Sequence, residues 1–214
     1  MWSKWTVIST RLPTIFLSSA IFLCSMGCVG IGGTQIQIAH DVLSTPKQSF
    51  SDSIVMQKSA DDGRMGGRIG HATITLFAIE SGDVTSTYPL TEEVVTQVKQ
   101  ALESLGYQVT LVDSTHPVPN PSSILKVRIN EFYFKNYNWI WPIVPTWGDI
   151  ALDLTLHNPD GKMVYFKLFR GSGNSFCLTG GCAFGAATKE ALTEVLNKIV
   201  EACSSEEFRQ VLKN

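Results

Sequence analysis

Residues Ile150–Phe169 read IALDLTLHNPDGKMVYFKLF, and their pattern decides the fold class. Ile150, Leu152, Leu154 and Leu156 alternate with Ala151, Asp153, Thr155 and His157. That period of two belongs to a strand packed on one face and wet on the other. Asn158-Pro159-Asp160-Gly161 is a turn: proline presets φ, aspartate bonds back to the local backbone, and glycine accepts the left-handed region. Met163–Phe169 is therefore expected to return as the antiparallel partner.

Upstream, strand-like runs are expected at Ile54–Gln57, Ala72–Ile79, Tyr107–Val112 and Ile124–Phe134, the last with Leu125, Val127 and Ile129 against Lys126, Arg128 and Asn130. Between them, Val94, Val98, Ala101, Leu102 and Leu105 recur at helical spacing. Thr91 is placed to cap that helix, Glu92 and Glu93 suit its positive end, and Gly106 ends it. Downstream, Ala191, Leu192, Val195, Leu196 and Ile199 make an apolar stripe over Ala186–Ala202. Ser204 and Glu207 fit a capping box for a short last helix with Phe208, Val211 and Leu212. The order β-β-α-β-β-β-β-α-α predicts an α+β domain: a mostly antiparallel sheet of about five to six strands, two amphipathic helices on one face, and a short C-terminal helix.

The N-terminus is of another kind. Lys4 and Arg11 precede an uncharged run of 13 residues, Leu12–Cys24, too short to span a bilayer but suited to a signal-peptide core. Ser25-Met26-Gly27-Cys28 then places a small residue before a cysteine, which resembles the lipobox of bacterial lipoproteins. The organisation that follows is a lipoprotein signal peptide at 1–27, a tether at 28–53 beginning with lipidated Cys28, and one periplasmic domain at 54–214. Ordinary secretory cleavage at the same bond is the alternative. Val29 stands where aspartate would imply inner-membrane retention, so the resemblance implies the periplasmic face of the outer membrane. A tether rich in Gly, Ser, Thr and Gln would have a root-mean-square span of roughly 27 Å.

Removing residues 1–27 takes away two of 17 basic residues and no acidic one, leaving 15 against 19, a net charge of −4. A chain so balanced is a poor match for phosphate backbones or a polybasic membrane site. Export to an oxidising compartment makes Cys177 and Cys182, in FCLTGGC, a candidate disulfide. A four-ligand zinc site lacks a second close Cys or His pair, and Cys203 lies on an apolar helix face as a buried thiol.

DGR at Asp62–Arg64 with Ile69-Gly70, LESLGYQV at 102–109, KVRINEF at 126–132 and DLTLHNPDGKMVYFKLFRG at 153–171, followed by an Ala/Leu-rich helix, together resemble the YajG-type bacterial envelope lipoproteins. The resemblance implies no catalytic residues. The long tryptophan connection and the Cys177/Cys182 pair depart from its core pattern.

Chemistry has few anchors. Asp149, Asp153 and His157 share the wet strand face, the one set from which a small periplasmic enzyme or ligand site could be built. Strand residues four apart are separated by roughly 13 Å, too far to converge on a metal. His71 stands at a strand start without an obvious acidic neighbour. The glycine-rich RGSGNSFCLTGGCAFGAATKE lacks the Lys and Ser/Thr of a phosphate loop and the third glycine of a dinucleotide fingerprint. No cofactor, metal or catalytic residue is expected.

The remaining signal is NYNWIWPIVPTW, Asn136–Trp147, too long for a hairpin loop and too aromatic for a disordered one. It folds over the core, docks another envelope protein, or enters the membrane interface. An acylated Cys28 would dominate membrane attachment, since each methylene contributes about 0.8 kcal/mol. The expected role is thus a non-catalytic binding or assembly module, with Trp139, Ile140, Trp141 and Trp147 as contact candidates. A lipid-contacting loop at 136–147 is the membrane alternative.

Overall fold

The computed structural model describes residues 34–213 except 42, 44–49, 51, 65–66, 75–78, 114–122 and 137–142. The signal peptide, Cys28, Trp139, Ile140 and Trp141 lie outside the described residues. The elements are β1 (Thr34–Ile36), β2 (Ser53–Gln57), β3 (Asp61–Asp62), β4 (Gly70–Ile74), β5 (Ile79–Ser86), α1 (Leu90–Ser104), β6 (Gln108–Val112), β7 (Ile124–Asn136), β8 (Val144–His157), β9 (Met163–Cys177), α2 (Gly180–Cys203) and α3 (Glu206–Lys213).

The α+β class holds, but the described sheet has nine strands and is mixed, larger and less antiparallel than expected. The reason is the length of β7. Its 13 residues make a ladder of roughly 43 Å. One side is satisfied by β8 alone, antiparallel from Ile124↔His157 to Asn136↔Thr146. The other is shared by three short parallel strands in relay: β2 at Ile124 and Leu125, β3 at Arg128 and Ile129, and β4 at Phe134 and Lys135. Such short pairings carry little periodicity. The run Ala72–Ile79, expected as one strand, instead contributes to two antiparallel strands, β4 and β5, with a bulge between Ala72 and Thr73.

The hairpin expected over Ile150–Phe169 is present and nearly twice the expected length. It pairs from His157↔Met163 to Val144↔Cys177. Even-numbered β8 side chains, among them Ile150, Leu152, Leu154 and Leu156, are buried under the helices. Among the described residues β9 pairs only with β8, so it forms one border of the described sheet.

In α1, Leu90, Val94, Val95, Val98, Ala101 and Leu102 are buried, and Gly106 ends the element with φ 93°. The cap position is Pro89 rather than Thr91, without a side-chain cap bond. At α3 the capping oxygen belongs to Ser205, which accepts from the Phe208 N–H at 3.3 Å, one residue later than the expected Ser204. α2 begins at Gly180 rather than near Ala186, because Thr179 caps it by accepting from the Cys182 N–H.

The packed chain starts well before residue 54, within the span expected as a tether. Thr34–Ile36 pairs with Val84–Ser86, and Ile36, Ile38, Leu43 and Phe50 are buried. Asp41 donates its N–H to Thr193 Oγ1 at 2.8 Å. Phe50 stacks on Tyr107 at 5.2 Å, and Tyr107 donates to the Cys203 carbonyl at 2.8 Å. Four aliphatic or aromatic side chains scattered among Gly, Ser and Thr have no helical or strand period, so their burial was not readable from spacing.

Candidate functional site: the free edge and tip of the β8–β9 hairpin

In an antiparallel strand, alternate residues turn both backbone groups toward one neighbour. In β9 the even-numbered residues turn theirs away from β8. From 170 to 174 that outer edge is closed by α2. Lys198 Nζ donates to the Arg170 carbonyl at 2.7 Å. Glu194 accepts from the Ser172 N–H at 2.9 Å, and Glu190 from the Asn174 N–H at 2.7 Å. These three side chains lie four residues apart on one helix stripe, and Lys198 also pairs with Glu194 at 2.6 Å. The lysine and the Ser172 N–H hold the Glu194 carboxyl below the usual glutamate range.

The helix comes this close because β9 has glycines facing it. A Cβ on Gly173 would lie 1.9 Å from the Ala187 carbonyl oxygen, and one on Gly171 would lie 2.4 Å from that of Ala191. The GSG motif is thus a seat for α2, which explains why it matches neither nucleotide-binding pattern. Two glycines two apart, with alanines at 187 and 191 and Glu190, Glu194 and Lys198 beside them, are the signal that sequence reading missed.

Toward the start of β9 the capping stops. By the same alternation Phe166 and Leu168 turn their N–H and C=O groups to the outer edge, up to a bulge at Val164, and no described strand pairs there. Their side chains lie on the sheet face away from the helices, with Phe166 55% and Leu168 40% exposed. Beside this edge runs a groove of about 860 Å³, walled by Tyr165 and Lys167 on one side and by Lys198, Glu201, Ser205 and Glu207 on the other. Burial pushes the Tyr165 hydroxyl up to about 12, and burial also pushes the nearby Cys203 thiol up to about 12. Both are neutral at physiological pH, so neither is an activated nucleophile.

At the far end of the hairpin Cys177 and Cys182 form a disulfide with Cα atoms 5.9 Å apart. Phe176 is 73% and Leu178 68% exposed, while Ile143 and Trp147 are 42% and 39% exposed. The Lys135 ammonium stands 5.9 Å over the Trp147 ring.

Asp149, Asp153 and His157 do share one face of β8, spread along the strand as its period requires. Among the described residues no three His, Cys, Asp or Glu side chains come together as a metal set. Burial, then Lys126, lowers the pKa of His157. His71 does have an acidic neighbour: Glu80 on β5 lies 3.9 Å from Nε2, and Nδ1 contacts the Tyr133 hydroxyl. Arg68 bridges Glu80 at 3.0 Å and Asp83 at 3.1 Å. The β4–β5 pairing that brings these groups together was invisible as periodicity.

No family model matches the chain, and no curated protein matches it. Among solved structures, the Xanthomonas campestris protein XCC0632, of the DUF330 family, is similar at 18% identity and TM-score 0.61, covering 85% of this chain and 99% of that one. A minor lipoprotein from Acinetobacter baumannii matches at 8% identity and TM-score 0.33, over 74% and 93% of the two chains. Lipoprotein GNA1162 from Neisseria meningitidis matches at 11% and 0.35, over 76% and 99%. The Xanthomonas likeness, spanning nearly all of that chain, shows that this chain shares its fold; the other two are too distant to carry an argument.

Proposed function

We propose that this is an envelope lipoprotein, held at the periplasmic face of the outer membrane by acylated Cys28, and that it works as a non-catalytic binding module. Its ligand is an extended polypeptide that adds a strand to the open half of β9. The single observation that carries the binding role is the pair of outward-facing backbone positions at Phe166 and Leu168, on an edge with no described strand partner and beside a groove. Strand addition needs such positions for affinity and alternate side-chain contacts for specificity. Phe166 and Leu168 favour apolar residues at alternate positions of the ligand, while Lys167, Lys198 and Glu201 favour polar ones between. On this reading the docking surface lies on the half of β9 remote from the tryptophan connection.

A synthetic peptide of alternating valine and threonine, and a copy N-methylated at every second residue, test this on the full chain. The unmodified peptide should perturb the amides of Phe166 and Leu168 but not that of Asn174, and Phe166→Pro should abolish the effect. Equal binding by the N-methylated copy, or by the proline variant, would remove strand addition. For the anchor, Cys28→Ala should release the protein from envelope fractions, and continued sedimentation with membranes would reject lipidation.

A further inference from the structure

The apolar residues at the tip of the hairpin, its Cys177 end remote from the Asn158–Gly161 turn, serve a different surface from those of the open edge. Phe176 and Leu178 are the most exposed large apolar side chains among the described residues, and Ile143 and Trp147 lie on the same end. Residues 171–188 carry no charged side chain, nor do 143–148. Phe166 and Leu168, by contrast, sit among Lys162, Lys167, Arg170 and Asp153. Apolar groups ringed by charges suit a polypeptide, whereas an apolar end whose own strand residues are uncharged, with the Lys135 ammonium at its border over Trp147, meets hydrocarbon while leaving that ion at headgroup depth.

The chain's entry point lies at this same end. A Cβ on Gly181 would stand 3.9 Å from the Thr34 side chain. Cys28 is six residues before Thr34. Fully extended, six residues reach roughly 20 Å, and Leu178, three residues from Gly181, is within about 10 Å of it. Past Thr34 the chain runs away from the tip along α2, where Asp41 meets Thr193 and Lys189. A lipid on Cys28 would therefore bring this end close to the bilayer.

Resting on the reading of Cys28 as the anchor, we infer that Phe176, Leu178, Ile143 and Trp147 form a membrane-contact surface that enters the interfacial layer of a phospholipid bilayer. Trp147 with the Lys135 ammonium over it suits headgroup depth, where an aromatic ring and a cation are both favoured. The contact sets orientation. With the tip down, Phe166 stands ten residues along β9, roughly 33 Å further out, where a periplasmic polypeptide can reach it.

A benzophenone side chain placed at position 178 of the full acylated chain, in vesicles of phosphatidylethanolamine and phosphatidylglycerol carrying tritiated lipid, tests the inference. The same side chain at position 166 is the control, and both positions are exposed enough to accept it. Photolysis should label lipid from position 178 on the order of tenfold above position 166. Mass spectrometry of Cys28 on the same sample separates the two readings. Absent fatty acid overturns the anchor itself; an acylated cysteine with equal labelling at 166 and 178, or with label only in protein adducts, overturns the membrane contact alone.

Discussion

The two halves of β9 share one strand, one partner and one sheet border, yet they differ at the outer edge. From Arg170 to Asn174 the backbone is closed by Lys198, Glu194 and Glu190, and two glycines bring α2 near enough for those side chains to reach. From Phe166 to Leu168 larger side chains stand in the strand, a groove lies between it and the helix, and no described strand pairs with the edge. An edge strand invites unwanted pairing unless it is blunted. Here the blunting is confined to one half, and this contrast supports reading the other half as a binding edge.

The contrast can be broken most severely at the glycine seat. Gly173→Val drives a side chain into the Ala187 carbonyl and should cost about 3 kcal/mol in denaturant unfolding, the upper range for overpacking. Opening the Cys177–Cys182 clip by Cys177→Ser with Cys182→Ser should cost about 2 kcal/mol by the chain-entropy account, read from the same unfolding curves. Glu194→Ala should cost about 1 kcal/mol or less, since the side chain is partly exposed to screening solvent. Its signature is faster amide exchange at Ser172. The sign with pH follows from a carboxyl held below its usual 4.5: the stabilisation is present above that value and fades as pH falls through the lower folded value. Smallest of all, Phe166→Pro should change stability by about 0.5 kcal/mol or less, because proline is tolerated where an edge N–H faces outward. A large loss there would mean that the edge is already occupied.

Legibility followed the same division. The alternation from Ile150 to Leu156 and the Asn158–Gly161 turn announced the hairpin, since a strand buried on one face must write its period into the sequence. The stripe from Val94 to Leu102 announced α1 for the same reason. Beyond Phe169 the signal failed. Gly171, Gly173 and Ser175 face α2, and small side chains chosen for close approach look like a loop. The short parallel pairings of β2, β3 and β4 with β7 left no period either. Ile36, Ile38, Leu43 and Phe50 were read as tether because burial by packing onto distant elements needs no local repeat. Of the tryptophan connection, Trp147 lies at the Cys177 end of the hairpin, while Trp139, Ile140 and Trp141 lie outside the described residues. Phe176 and Leu178, without a motif, were passed over.

Amide hydrogen exchange along β9 of the full chain, with no ligand added, tests the central asymmetry most directly. The N–H groups of Ser172 and Asn174 should exchange slowly behind their glutamates, while those of Phe166 and Leu168 exchange like exposed amides. Uniform protection of all four, or protection reversed between the halves, would contradict an edge that is closed at one end and open at the other.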